Sequence, residues 1–158
     1  MSQPKMTILW HSELEKGWFI GFLEGEGTIT ITSQGHNHYT PRVSLANTEL
    51  ELLSKAYRIL KKLGLKPVFR KYMRIKSQIG EKPLHQLYIK GMKCVYPLLI
   101  SIVSDLTGRK QKLAKLVIKY CESRMGKVHK APKLRKYSPY EMKIIEEVHN
   151  INGHKRTT

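Results

Sequence analysis

Apolar residues recur along the chain with two alternating periods, and each change of period marks an element boundary. Leu14, Trp18, Phe19, Phe22 and Leu23 fall three or four apart, the spacing of one helix face. Ser12 can cap that helix, Glu13 and Glu15 suit its positive end, and Gly25 to Gly27 predict its stop. Thr28-Ile29-Thr30-Ile31-Thr32 then alternates strictly, as in a strand with one apolar face. The turn Ser33-Gln34-Gly35-His36-Asn37 leads to a second strand over 39–46. Pro41 and Arg42 argue that this strand is not deeply central at its start.

The helical period returns from Glu49 to about Leu63, with Leu53, Ala56, Ile59 and Leu60 on one face and Gly64 as a stop. Two more strands follow. Phe69, Met73 and Ile75 alternate with Arg70, Tyr72, Arg74 and Lys76, and Leu87 and Ile89 alternate with Gln86, Tyr88 and Lys90. Helical spacing resumes over 92–106, with a break or bend expected at Pro97, and again over 109–124. The order α-β-β-α-β-β-α-α predicts an α+β domain: a four-stranded antiparallel sheet built from hairpins and backed by helices.

Residues 126–136 are basic, contain Pro132 and read as an exposed linker or arm. Ser138-Pro139-Tyr140-Glu141 is a capping box that starts one extra C-terminal helix. The expected organisation is a domain over 1–125, a basic linker over 126–137, and a helix with a frayed tail over 138–158. The linker can run along a phosphate backbone, and the helix can equally cover the core.

A formal net charge of +17 on 158 residues changes the picture from fold to partner. Self-repulsion of that size opposes compactness, and a polyanion relieves it, so nucleic acid is the leading partner. The charge is segregated: Glu81 is the one acid between Leu52 and Ser104, and Glu122 the one acid between Gly108 and Lys136. Cys94 and Cys121 have neither metal-finger spacing nor a disulfide framework, which suits a reduced intracellular setting. No signal-peptide core and no apolar run of membrane length is present, so a soluble protein with no membrane partner is expected.

On all four strands the residues opposite the apolar set hydrogen-bond or carry positive charge. They are Thr28, Thr30 and Thr32; Arg42 and Ser44; Arg70, Tyr72, Arg74 and Lys76; Gln86, Tyr88 and Lys90. Polar residues occupy the wet face of any sheet. The absence of acids from the last two strands favours a surface that reads base edges in the major groove. There Arg suits guanine, Gln suits adenine, and Thr can touch a thymine methyl.

In the first helix Gly17, Gly21 and Gly25 share a face, at about 1 kcal/mol each relative to Ala. Close approach of another helix accounts for them, either the same helix of a second copy or one within the chain. The helix ends in Glu24 and Glu26, carboxylates at the end whose dipole favours cations. Either they are solvated or salt-bridged, or they bind a divalent cation such as Mg²⁺ that can serve phosphodiester hydrolysis.

Phe19-Ile20-Gly21-Phe22-Leu23-Glu24-Gly25-Glu26-Gly27 resembles the LAGLIDADG motif of homing endonucleases. Gly21 and Gly27 match its glycines, Gly25 stands for its Ala, and Glu24 and Glu26 stand for its two Asp. The element order over 12–124 is similar to that family's. The resemblance implies a Mg²⁺- or Mn²⁺-dependent, sequence-specific endonuclease of double-stranded DNA, with Ca²⁺ able to occupy the site without supporting cleavage. Glu26 would be catalytic and bind metal together with the Gly25 carbonyl. Lys110 would either stabilise charge at the phosphate or activate water, or simply contact phosphate. Asn47, or else Thr48, would position water.

Gly17, Gly21, Glu24 and Gly25 would form a homodimer interface, as in members with one motif. Gln34, His36 and Lys112 would join the strand residues on DNA. Such enzymes, often intron-encoded, cut long pseudo-palindromic sites to leave 3′ overhangs. The competing expectations are an RNA maturase that binds intron RNA and a catalytically silent DNA-binding regulator on the same scaffold.

Overall fold

The structure, a computed structural model, describes residues 7–35, 38–72, 83–127 and 136–153. Helix α1 (Glu13–Glu26) starts at Ser12, whose side chain accepts from the Glu15 N–H. It ends as the Gly27 N–H closes on the Leu23 carbonyl. A Cβ on Gly27 would lie 2.6 Å from that carbonyl oxygen, so helix and strand can join this tightly only through glycine.

Strands β1 (Gly27–Ser33), β2 (Tyr39–Asn47), β3 (Val68–Tyr72) and β4 (Leu84–Lys90) form one antiparallel sheet in the order β1-β2-β4-β3. The β2–β4 ladder begins at Arg42 opposite Lys90, so residues 39–41 of β2 pair with β1 alone. Pro41 therefore lies beyond the end of β4, where its missing N–H costs no ladder bond, in keeping with the sequence reading.

Helix α2 (Leu50–Lys62) crosses the apolar side of the sheet, burying Leu53, Ala56, Ile59 and Leu60. Helix α3 (Met92–Ile102) passes straight through Pro97. The break expected at Pro97 falls instead at Ile102, where a 3-10 turn (Val103–Asp105) leads toward helix α4 (Gly108–Met125). Pro97 itself is buried, so its ring contributes packing that offsets the lost backbone bond.

Phe19, Leu23, Ile29, Ile31, Val43, Leu45, Leu87, Ile89, Leu98 and Leu113 meet in one core and are almost wholly shielded from water. Full burial of such side chains contributes about 1.5–3 kcal/mol each.

Helix α5 (Pro139–Ile151) adds Ile144, Ile145 and Val148 to that same core and packs on α4 and β1. Its end also covers the outer edge of β1. A His149 ring nitrogen lies 2.7 Å from the Ile31 carbonyl, and the Asn152 amide donates to the Ile29 carbonyl at 3.0 Å. The core-covering alternative for the last helix is thus the observed one. Its start is fixed by Glu141, fully buried, which completes the capping box and also meets Ser123, Arg124 and Lys127. The bulk of the basic linker, 128–135, and the tail after Gly153 lie outside the described residues.

Candidate active site

The junction of α1 and β1 positions the acids. Glu26 is the last residue of α1 and is exposed, as is Gly25 before it. Glu24, two residues back, is turned toward α4: its carboxylate accepts the Thr107 N–H at 2.7 Å and lies 3.4 Å from the Thr107 hydroxyl. Thr107 is the N-cap of α4 and makes no cap bond of its own, so Glu24 caps that helix from another element. The two acids, one residue apart in sequence, therefore have different surroundings.

Lys110, in the first turn of α4, returns to the same junction and donates from Nζ to the Gly27 carbonyl. It is half-buried, and the carbonyl it holds belongs to the residue after Glu26. Burial lowers its pKa from the ordinary lysine value, Arg109 lowers it further, and Glu24 opposes both. A cation, an exposed carboxylate and helix-end carbonyls thus share one corner of the molecule.

Asn47, the residue expected to position water, is engaged within its own chain. Its Oδ1 accepts the Glu49 N–H at 2.8 Å, forming the turn that starts α2. It is also in register with buried His85, on the helix side of the sheet.

The glycine face of α1 is bare. Beyond the helix's own backbone and the adjoining residues, no described atom lies within 4 Å of a Cβ built on Gly17, Gly21 or Gly25, and Leu14 on the same side is 84% exposed. Packing of these glycines against another described helix of the chain is not observed.

On the polar side of the sheet, Thr28, Arg70 and Lys90 are exposed, as are Gln34 in the hairpin turn and Lys112 on α4. Thr32 is half-buried and donates to the Thr40 carbonyl. Thr30, Ser44 and Tyr88 correct the expectation of exposure: they are on the expected side but only 8%, 8% and 4% exposed. The cause at Tyr88 is visible, since the guanidiniums of Arg42 and Arg70 lie over its ring at 3.9 and 5.3 Å from the centroid. Arg42 also donates to Gln86 Oε1 at 2.9 Å. His36, Arg74, Lys76 and the Tyr72 side chain lie outside the described residues. The residue missed by sequence reasoning is Thr107, although a Thr directly before a helical run is an N-cap signal.

The model of the LAGLIDADG-like domain matches residues 13–99, from the start of α1 into α3. The chain belongs to the LAGLIDADG-like domain family. Its fold is that of the homing endonuclease I-CvuI, solved in complex with the I-CreI target in the presence of Mg. That structure is 16% identical, with a TM-score of 0.66 over 95% of this chain and 89% of the other. The homing endonuclease I-TnaI is 14% identical, with a TM-score of 0.57 over 87% of this chain and 95% of its own. The LAGLIDADG meganuclease I-AabMI, bound to uncleaved DNA, matches at 19% identity and a TM-score of 0.53. This chain accounts for 39% of I-AabMI, against 73% of its own length. Among curated proteins compared by sequence, none matches.

Within this LAGLIDADG-like chain, no three His, Cys, Asp or Glu among the described residues come together as a metal group. The donors at the α1 end are all hard oxygens, one carboxylate and backbone carbonyls, which suits Mg²⁺ in kind. One chain offers too few of them for a protein cage, so the fit requires water, phosphate or a second chain. Among the described residues no helix is long and apolar enough to cross a membrane.

Proposed function

We propose that this chain is a homodimeric, sequence-specific endonuclease of double-stranded DNA, of the homing type and intron-encoded. The carrying observation is the exposed Glu26, next in sequence to the Gly27 carbonyl that Lys110 holds, at the end of a helix whose glycine face meets no other described residue.

Two copies paired along Gly17, Gly21 and Gly25 bring two α1 ends together, one for each DNA strand. Glu26 and the Gly25 carbonyl of each copy would hold a divalent cation, Mg²⁺ or Mn²⁺, which when bound supplies charge neutralisation and an activated water. Lys110 places positive charge beside the same junction, where the phosphate gains negative charge during displacement. The two sheets, offering Arg42, Arg70, Lys90, Thr28 and Gln86 among others, read the two halves of a long pseudo-palindromic site. Cutting proceeds by phosphodiester hydrolysis and leaves 3′ overhangs.

The test is a library of plasmids carrying random inserts, incubated with the protein and Mg²⁺. Specific double-strand cuts are expected from the native chain, and unchanged binding without cuts from Glu26→Gln. A native protein that binds duplex DNA specifically and never cuts it would replace this reading with that of a silent regulator. One that ignores DNA and binds structured intron RNA would replace it with a maturase.

A further inference from the structure

We infer that Arg42, Gln86 and Tyr88 form a preset unit that selects guanine and rejects adenine at one base pair of each half-site. The inference rests on the proposed DNA-reading role of the sheet. Arg42 stands opposite Lys90 in the β2–β4 register, yet its side chain extends along β4 as far as Gln86. On the way its guanidinium lies 3.9 Å from the centre of the Tyr88 ring. A guanidinium can only donate, so the Gln86 atom facing it is the carbonyl oxygen, and the orientation of the amide is fixed. Ring contact and hydrogen bond together restrain a long side chain before any ligand arrives, which lowers the ordering cost of binding.

Glutamine recognises adenine by accepting from N6 while donating to N7. At Gln86 an incoming N6 amino group would meet Arg42 Nη2, donor against donor, 2.9 Å from the shared acceptor. Guanine presents O6 and N7, both acceptors. Arg42 Nε is buried without a partner among the described residues, and one Nη2 hydrogen serves Gln86. The donors left for a base are the terminal Nη1 and Nη2 hydrogens, a fork that matches O6 and N7. Around them Thr30, Ser44, Arg70 and Lys90 supply no carboxylate to accept from the amino group of cytosine. The adenine preference suggested by Gln86 in the sequence is thereby inverted, because Gln86 positions Arg42 and does not read a base alone.

Selection of bound duplexes from a fully randomised library, with the full chain in Ca²⁺, tests this. The native protein should select guanine over adenine by about tenfold or more at one position per half-site. Arg42→Ala should flatten that position alone. Arg42→Lys, which keeps the charge without the fork, should keep most of the affinity and lose most of the preference. Gln86→Glu should retain guanine, since a carboxylate still accepts from Arg42. An unchanged guanine preference in Arg42→Ala, or an adenine position that Gln86→Ala erases, would overturn the inference while leaving the endonuclease reading intact. Absence of any consensus with the native chain would instead sink that reading, and this inference with it.

Discussion

The Thr107 backbone N–H donates to the Glu24 carboxylate at 2.7 Å, joining the end of α1 to the start of α4 across 83 positions of sequence. The first turns of α4 carry Arg109, Lys110 and Lys112, cations at the end whose dipole disfavours them. Glu24 supplies the missing negative charge and the missing acceptor together. Removing it should loosen the start of α4, and with it the approach of Lys110 to Gly27.

Glu24→Ala is expected to destabilise the fold by about 1 kcal/mol, the usual cost of a lost helix cap. Glu24→Gln keeps an acceptor oxygen and should lose less. Urea denaturation of both variants beside the native chain measures the difference, and equal losses would show that charge rather than the hydrogen bond matters.

Gly21→Leu separates fold from assembly. Its side chain meets open space in one chain, so the fold should persist, whereas two helices pressed together have no room for it. Sedimentation should then give a monomer with native circular dichroism. Gly21→Ala adds helix propensity of up to about 1 kcal/mol to each chain and tests how close the helices come.

Most of the architecture was legible because local rules and tertiary packing agree. Ser12 and the Ser138 capping box mark helix starts through contacts a few residues away, and Ile29 and Ile31 mark a strand by alternation alone. Pro97 misled because its effect depends on what its ring packs against, which no local pattern records. The placing of Gly25 and Glu26 at an exposed helix end was legible because a motif marks it. Thr107 and the reach of Lys110 to Gly27 depend on a fold that returns after 83 residues, and spacing cannot show that. The exposure of Thr30, Ser44 and Tyr88 was misjudged for a related reason, since alternation assigns a side of the sheet but not what lies over it.

Acid should weaken the anchoring of α5. Burial would raise the Glu141 pKa, but the Lys127 side chain, the Ser138 N–H, the Ser123 side chain and the nearby Arg124 outweigh it and hold it below the ordinary carboxylate value. A depressed folded-state pKa means that this stabilisation is complete above the unfolded value and fades as pH falls through the folded one. Denaturation midpoints between pH 7 and pH 3 should fall more steeply for the native chain than for Glu141→Gln. At neutral pH that variant should be less stable by about 1–3 kcal/mol, because it removes the charged acceptor shared by Lys127, Arg124 and Ser123.

Truncation before Ser138 should prevent folding. Ile144, Ile145 and Val148 would be lost from the core at about 1.5–3 kcal/mol each, a sum comparable to the whole stability of many domains. Circular dichroism without a cooperative thermal transition is the expected result. A truncated chain that melts cooperatively near the native temperature would show α5 to be dispensable.

The covering of β1 by α5 also sets an order in time. Ile31 leaves the ribosome 118 residues before the His149 that closes on it, an interval of roughly ten seconds at common translation rates. Throughout that interval the outer carbonyls of β1 have no α5 to meet, and the strand next to Glu26 is open to the wrong partner. A nascent chain should therefore stay protease-sensitive until its last helix emerges, and only then acquire the rigidity that its α1–β1 junction needs.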